Sequence, residues 1–268
     1  MCELFAVSSS EPARVRLRFA EFATHGAPRH GGNPDGWGAA YFDGLDAHVL
    51  REPVAATRSA FVQVLEDHEF HSRLVISHVR RASRGPVALA NTQPFSHEMA
   101  GRRHVFAHNG DLPDARAQWK LGPGCAWPIG QTDSEHVFCQ LLRALAPLWH
   151  DAQPPTLQAR CEAVTAFAAT MRSYGPANFL YSDGELLFAH ADRRRQADDE
   201  VRPPGLHLLL RGASNAHERR ADGLHVSTRE AAHEHPLAMV ASVPLGAGHW
   251  VALDPGEIVV LRAGQRLR

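Results

Sequence analysis

Strand-like segments lie on both sides of a central pair of helices in this sequence, without regular βα alternation. That order points to an α+β protein with two sheets. The helical pair spans 132–147 and 155–173, with Thr132 or Asp133 placed to cap the first and Ser134 and Glu135 in its opening turn. Before the pair, 2–8, 37–43, 46–51, 73–80 and 103–107 read as strands, and after it 178–182, 186–191, 206–211, 237–243 and 257–262 do. Asp43-Gly44 and Asp183-Gly184 mark tight turns. Val15, Phe19 and Phe22 recur at helical spacing, so 11–24 is expected as a helix, and 57–66 as another. The Gly/Pro-rich 26–38 and the segment holding Pro86 and Pro94 read as loops, and the charged 192–203 as an exposed excursion.

Composition narrows the partners. With 28 Lys+Arg against 29 Asp+Glu the net charge is −1, so no global field draws the chain to nucleic acid or to an anionic membrane. No apolar run nears the roughly 20 residues that span a bilayer. Glu3 stands where a signal peptide needs a basic residue. The four cysteines are scattered without a C-x-x-C pair. A reduced, cytoplasmic setting is the expectation.

Five short segments offer chemistry. Cleavage of Met1 leaves Cys2 with a thiol and a free α-amine, whose pKa of about 7.7–8.0 lets it act as a base near neutrality. Protonated, the same amine favours the thiolate; the plainer alternative is a small residue opening a buried strand. Gly31 to Gly38 lacks the spacing of a phosphate cradle and fits a loop entering a strand. Arg80, at the end of the apolar strand Arg73–Arg80, suits bidentate grip of a carboxylate, or else a structural ion pair. His108-Asn109-Gly110 is either a hairpin turn or a pair of oxyanion donors, the Asn109 amide and the Gly110 N–H. Thr132-Asp133-Ser134-Glu135 is a helix cap, unless Asp133 faces a ligand ammonium. Among the 18 histidines, His233-Glu234-His235 and the His104/His108 pair come nearest to metal ligands, yet no H-E-x-x-H or Cys/His zinc spacing occurs.

In sequence order, Met1-Cys2-Glu3-Leu4, Asp35-Gly36-Trp37-Gly38, His78-Val79-Arg80, His108-Asn109-Gly110 and Thr132-Asp133-Ser134-Glu135 make the chain resemble the class II glutamine amidotransferases. These are N-terminal-nucleophile (Ntn) hydrolases, and the nearest likeness is to the stand-alone bacterial YafJ-type members. The resemblance runs from Cys2 to about Ser182 and continues more loosely through Val243-Pro244-Leu245, Trp250 and Pro255-Gly256-Glu257. It implies a four-layer αββα sandwich with two antiparallel sheets. It also implies one Ntn domain over 2–268 after loss of Met1, with no metal or organic cofactor.

The resemblance further implies roles. Cys2 would be the nucleophile and its α-amine the base; Asn109 and Gly110 would form the oxyanion hole. Arg80 would hold the α-carboxylate of glutamine and Asp133 its α-ammonium, with His78 and Ser83 also in the substrate site. The implied reaction hydrolyses the side-chain amide of glutamine or a γ-glutamyl compound through a Cys2 thioester, releasing ammonia or an amine. No length remains for a synthase domain, so a separate ammonia-accepting enzyme is one partner and plain hydrolysis the other outcome. Two other classes stay open: a catalytically silent Ntn-fold protein that binds γ-glutamyl ligands or a partner enzyme, and a histidine-based metal hydrolase. Arg81, Arg84 and Gln93 depart from the family pattern, which often has tryptophan, histidine and histidine there. They fall on the loop expected to close over glutamine, and the two arginines would favour a larger or more anionic γ-glutamyl substrate.

Overall fold

Period-two alternation sorts the strands into faces, and those faces set the layers. The computed structural model describes residues 2–17, 34–68, 70–149, 153–211, 218–221, 224–228, 235–246 and 248–268. Along the chain come β1 (Glu3–Leu17), β2 (Trp37–Asp43), β3 (Asp46–Glu52), α1 (Ala60–Asp67), β4 (His71–Val79), β5 (Phe95–Met99) and β6 (Arg102–Gly110). Then follow α2 (Ala115–Gln118), α3 (Asp133–Leu145), α4 (Leu157–Arg172), β7 (Ala177–Ser182) and β8 (Leu187–His190). The last part holds β9 (Arg194–Arg195), β10 (Val201–Arg202), β11 (His207–Arg211), β12 (Glu218–Ala221), β13 (Leu224–Thr228), β14 (Leu237–Ala241), β15 (Val251–Ala252), β16 (Ile258–Arg262) and β17 (Gln265–Arg266).

One sheet runs β15-β11-β14-β1-β4-β2-β3, with β13 also on β1 and β12 on β13. The other runs β17-β16-β8-β7-β6-β5, and the pairings in both are antiparallel. Leu4, Ala6 and Ile76 of the first sheet meet Val105, Ala107, Leu180 and Val259 of the second in a buried layer between them. The alternate residues point outward. Phe5, Val7 and Trp37 pack under Val62 and Leu65 of α1. On the far side, Phe106, Phe179 and Phe188 pack under Phe138 and Leu141 of α3 and Val164 and Phe167 of α4. The result is the expected α+β sandwich, helix–sheet–sheet–helix. Each long helix starts on a threonine cap: Thr132 Oγ1 accepts from Glu135 N at 3.2 Å, and Thr156 Oγ1 from Ala159 N at 3.2 Å.

Three readings of the sequence are corrected. Residues 11–17 are strand, not helix: β1 continues to Leu17, paired with β4 through Arg14 and with β13 through Leu17. Ala13 and Val15 alternate into the outer core, so strand period and helix period coexist there, and pairing on both edges decides for the strand. The register shifts between Ser8 and Ala13, where Pro12 has no N–H to donate; residues 18–24 lie outside the described residues. The second correction is β5, which forms an edge strand directly after Pro94 where a loop was expected. Third, 192–203 is not simply an exposed excursion: β9 pairs with β10, and Arg194 is buried against Glu3.

Candidate active site

The site is built where the ends of β1, β4 and β6 converge. Arg80 leaves β4 tied to the segment before β2: its N–H donates to Gly36 O at 2.7 Å, and its carbonyl accepts from Asp35 N at 3.2 Å. The Asp35 carboxylate then accepts from Ala82 N at 2.7 Å, which fixes the turn after Arg80. Gly36 has φ +144°, and a Cβ there would lie 3.0 Å from Glu52 O, so the position demands glycine.

Cys2 sits against that turn. Its Sγ accepts from Arg81 N at 3.2 Å and donates to Arg81 O at 3.2 Å. Its carbonyl accepts from Asn109 Nδ2 at 2.6 Å, so the end of β6 holds the start of β1 across the sandwich. One hydrogen of that Nδ2 remains for another acceptor. Burial pushes the Cys2 thiol up, while the Arg81 N–H and the Arg80 charge pull it down.

Asn109 is fixed from its far side by Asn178, whose Nδ2 donates to Asn109 O at 3.1 Å and to Arg193 O at 2.8 Å. A Cβ on Gly110 would collide with the Pro176 carbonyl and the His108 ring. His108 turns toward α3, its Nδ1 2.9 Å from Ser134 Oγ.

The Arg80 side chain is buried. Its Nη2 donates to Arg84 O at 3.0 Å and Gly85 O at 3.4 Å, and its buried Nη1 has no partner. Beside it opens a cavity of about 320 Å³, lined by Ser83, Arg84, Gly85, Leu112, Pro113, Arg116, Gln131 and Asp133. Asp133 is held at the start of α3 by Leu112 N at 2.7 Å and Ser134 N at 2.8 Å. Arg84 spans the rim to Asp111 in an ion pair.

Of the residues singled out from sequence, Cys2, Arg80 and Asn109 come together, with Gly110 next in the chain, and Ser83 and Asp133 share the cavity. His78 does not line it. It is fully buried, opposite Leu4 and Gly38 in register, with neither ring nitrogen partnered. Burial, with the Arg80 and His108 charges, pushes its pKa down to about 3. His104 is engaged elsewhere, with Nδ1 2.8 Å from Tyr181 OH. His233 and Glu234 lie outside the described residues, among which no group of three or more His, Cys, Asp or Glu side chains converges on a metal position. No helix there is long and apolar enough to cross a membrane.

Sequence reading gave no task to Asp35 or to the Glu3–Arg194 pair. The signals were present: an acid before the Gly36 turn, and Glu3 alone inside an apolar strand.

A family model described as glutamine amidotransferases class-II matches residues 1–268. The chain belongs to this family. It is 29% identical over 268 residues, all of both chains, to the Escherichia coli K12 protein YafJ. It is similar to the crystal structure of a Pseudomonas aeruginosa protein described as a predicted glutamine amidotransferase, at TM-score 0.73 and 27% identity over the whole of both chains. The Bacillus subtilis glutamine phosphoribosylpyrophosphate amidotransferase shares the fold at TM-score 0.58 and 15% identity, matching 99% of this chain and 48% of that one. The two sheets and their covering helices are thus those of a class II amidotransferase, a glutamine-amide-hydrolysing fold.

Proposed function

We propose that this protein, as a single Ntn domain over 2–268 after removal of Met1, hydrolyses the side-chain amide of glutamine or a γ-glutamyl compound in the cytoplasm. The observation that carries this reading is the buried Arg80 guanidinium, with Nη1 unpaired, one residue from the peptide on which the Cys2 thiol rests. A buried cation without an anionic partner is costly unless a ligand completes it.

In the proposed reaction Cys2 Sγ attacks the δ-carbonyl carbon. The freed α-amine of Cys2 takes the thiol proton and passes it to the departing ammonia. The second Nδ2 hydrogen of Asn109 and the Gly110 N–H stabilise the oxyanion. Collapse of the tetrahedral intermediate breaks the C–N bond and leaves a γ-glutamyl thioester. Water, deprotonated by the same amine, then cleaves it to glutamate. Arg80 takes the α-carboxylate, and Asp133, which lines the same cavity as Ser83, takes the α-ammonium.

The test is glutamate release from glutamine and from γ-glutamyl dipeptides by the purified protein. Turnover is expected, with kcat lowered about 10²–10³-fold in Asn109→Ala. Ligand binding without turnover by a chain lacking Met1 would instead establish the silent binding protein. Full glutamate release by this chain alone marks plain hydrolysis; glutamate release that rises only when an acceptor enzyme is added marks a partner.

A further inference from the structure

The surroundings of Gln93 show what its carboxamide is for. The β5–β6 ladder pairs Phe95 with Phe106 and goes no further toward the site. The same register would set residue 93 opposite His108. There the Gln93 side chain replaces a strand backbone: Oε1 accepts from His108 N at 2.6 Å, and Nε2 donates to His108 O at 3.1 Å. The carboxamide thus engages both backbone groups of the residue before Asn109.

Gln93 is itself pinned. It is 5% exposed, its carbonyl lies against Gly38 where a Cβ would collide, and Arg51 Nη1 donates to the neighbouring Thr92 O at 2.8 Å. It therefore belongs to the wall between the sheets, not to a loop free to close over a substrate.

We infer that Gln93 is a positioning residue for Asn109: by clamping the His108 peptide on the side β5 leaves open, it sets where the Asn109 amide meets the reacting carbonyl. The inference rests on the hydrolase reading above. A donor–acceptor pair matched to one residue's N–H and C=O is what a primary amide offers. A methionine fills similar volume with neither group, and a carboxylate keeps the acceptor but sets an oxygen against His108 O.

The experiment compares wild type, Gln93→Met and Gln93→Glu, all as the full chain, in steady-state glutamine hydrolysis and in product inhibition by glutamate. Displacing a catalytic group by about 1 Å costs on the order of 10²-fold. We expect kcat to fall about 10–100-fold in both variants. The KM for glutamine and the inhibition constant for glutamate, which read the Arg80 and Asp133 grip, should stay near the wild-type values. Gln93→Met keeps the packing, so its thermal unfolding should remain cooperative. A Gln93→Met enzyme with wild-type kcat, or a loss carried by KM alone, would overturn the inference. A wild-type chain inactive on glutamine and γ-glutamyl compounds would overturn the underlying reading instead, before any variant is compared.

Discussion

Two buried arginines flank the start of β1, and they are treated in opposite ways. Arg194 reaches Glu3 with Nη2–Oε1 at 2.8 Å and donates Nη1 to Ser242 O at 2.7 Å, leaving only Nε unpartnered. Arg80 has two carbonyl contacts through Nη2, no ion pair among the described residues, and an open Nη1. One charge is consumed by the fold, tying the β9 segment to the strand that follows Cys2. The other is held in place by neutral backbone groups, with Nη1 open. That difference supports the proposal that Arg80, and not Arg194, is the recognition cation.

Replacing each arginine by methionine should therefore give opposite phenotypes. Arg194→Met removes the buried guanidinium that pairs with the buried Glu3 carboxylate and should cost about 3–5 kcal/mol of stability. Urea unfolding checks this, and the folded fraction should keep its catalytic constants. Arg80→Met should leave the urea midpoint unchanged or higher, because it removes a buried charge that the free protein does not neutralise. Its kcat/KM for glutamine should fall about 30-fold or more, the equivalent of about 2 kcal/mol or more for a lost charged contact. Glutamate should raise the melting temperature of wild type but not of this variant. Matching phenotypes in the two variants would break the comparison.

The buried histidines take a third route and shed their charge. His78 has its pKa pushed down to about 3, and His104 and His190 theirs to about 4, in each case mainly by burial. Unfolded, these rings titrate near 6.5. Between the two values the unfolded chain binds more protons, so stability is full above about pH 6.5 and declines as pH falls from there toward 3–4. Thermal unfolding should weaken between pH 6.5 and 5, before most carboxylates titrate. A flat profile over that window contradicts it. The smallest expected effect is Arg84→Ala. Its ion pair with Asp111 is exposed on both sides and should contribute only about 0.2–1 kcal/mol, lost in high salt.

Most of the architecture was legible because alternation in β1, β2, β4, β6 and β7 places apolar residues on two faces. The caps at Thr132 and the turns at Asp43-Gly44 and Asp183-Gly184 were equally local. What failed was non-local. Val15 fits the helix period with Phe19 and Phe22 and the strand period with Ala13, and only pairing with β4 and β13 selects the strand. Arg194 reads as one more charge in a polar run until Glu3 is brought to it from the other end of the chain. Within the site, motif order brought Cys2, Arg80, Asn109 and Asp133 to notice. The work of Asp35 and Gln93 was hidden because their partners, Ala82 N and the His108 peptide, are backbone atoms without a sequence signature. His78 was legible as a site residue only through its place in the motif; its ring is fully buried.

The most direct test of the central claim is the intact mass of the purified protein, with peptide mapping, before and after 6-diazo-5-oxo-norleucine, an electrophilic glutamine analogue. The account predicts a chain lacking Met1 that gains one adduct, mapped to Cys2, with labelling slowed by glutamate and abolished in Arg80→Met. A chain that retains Met1 and gains no adduct, or one labelled at another residue, would contradict it.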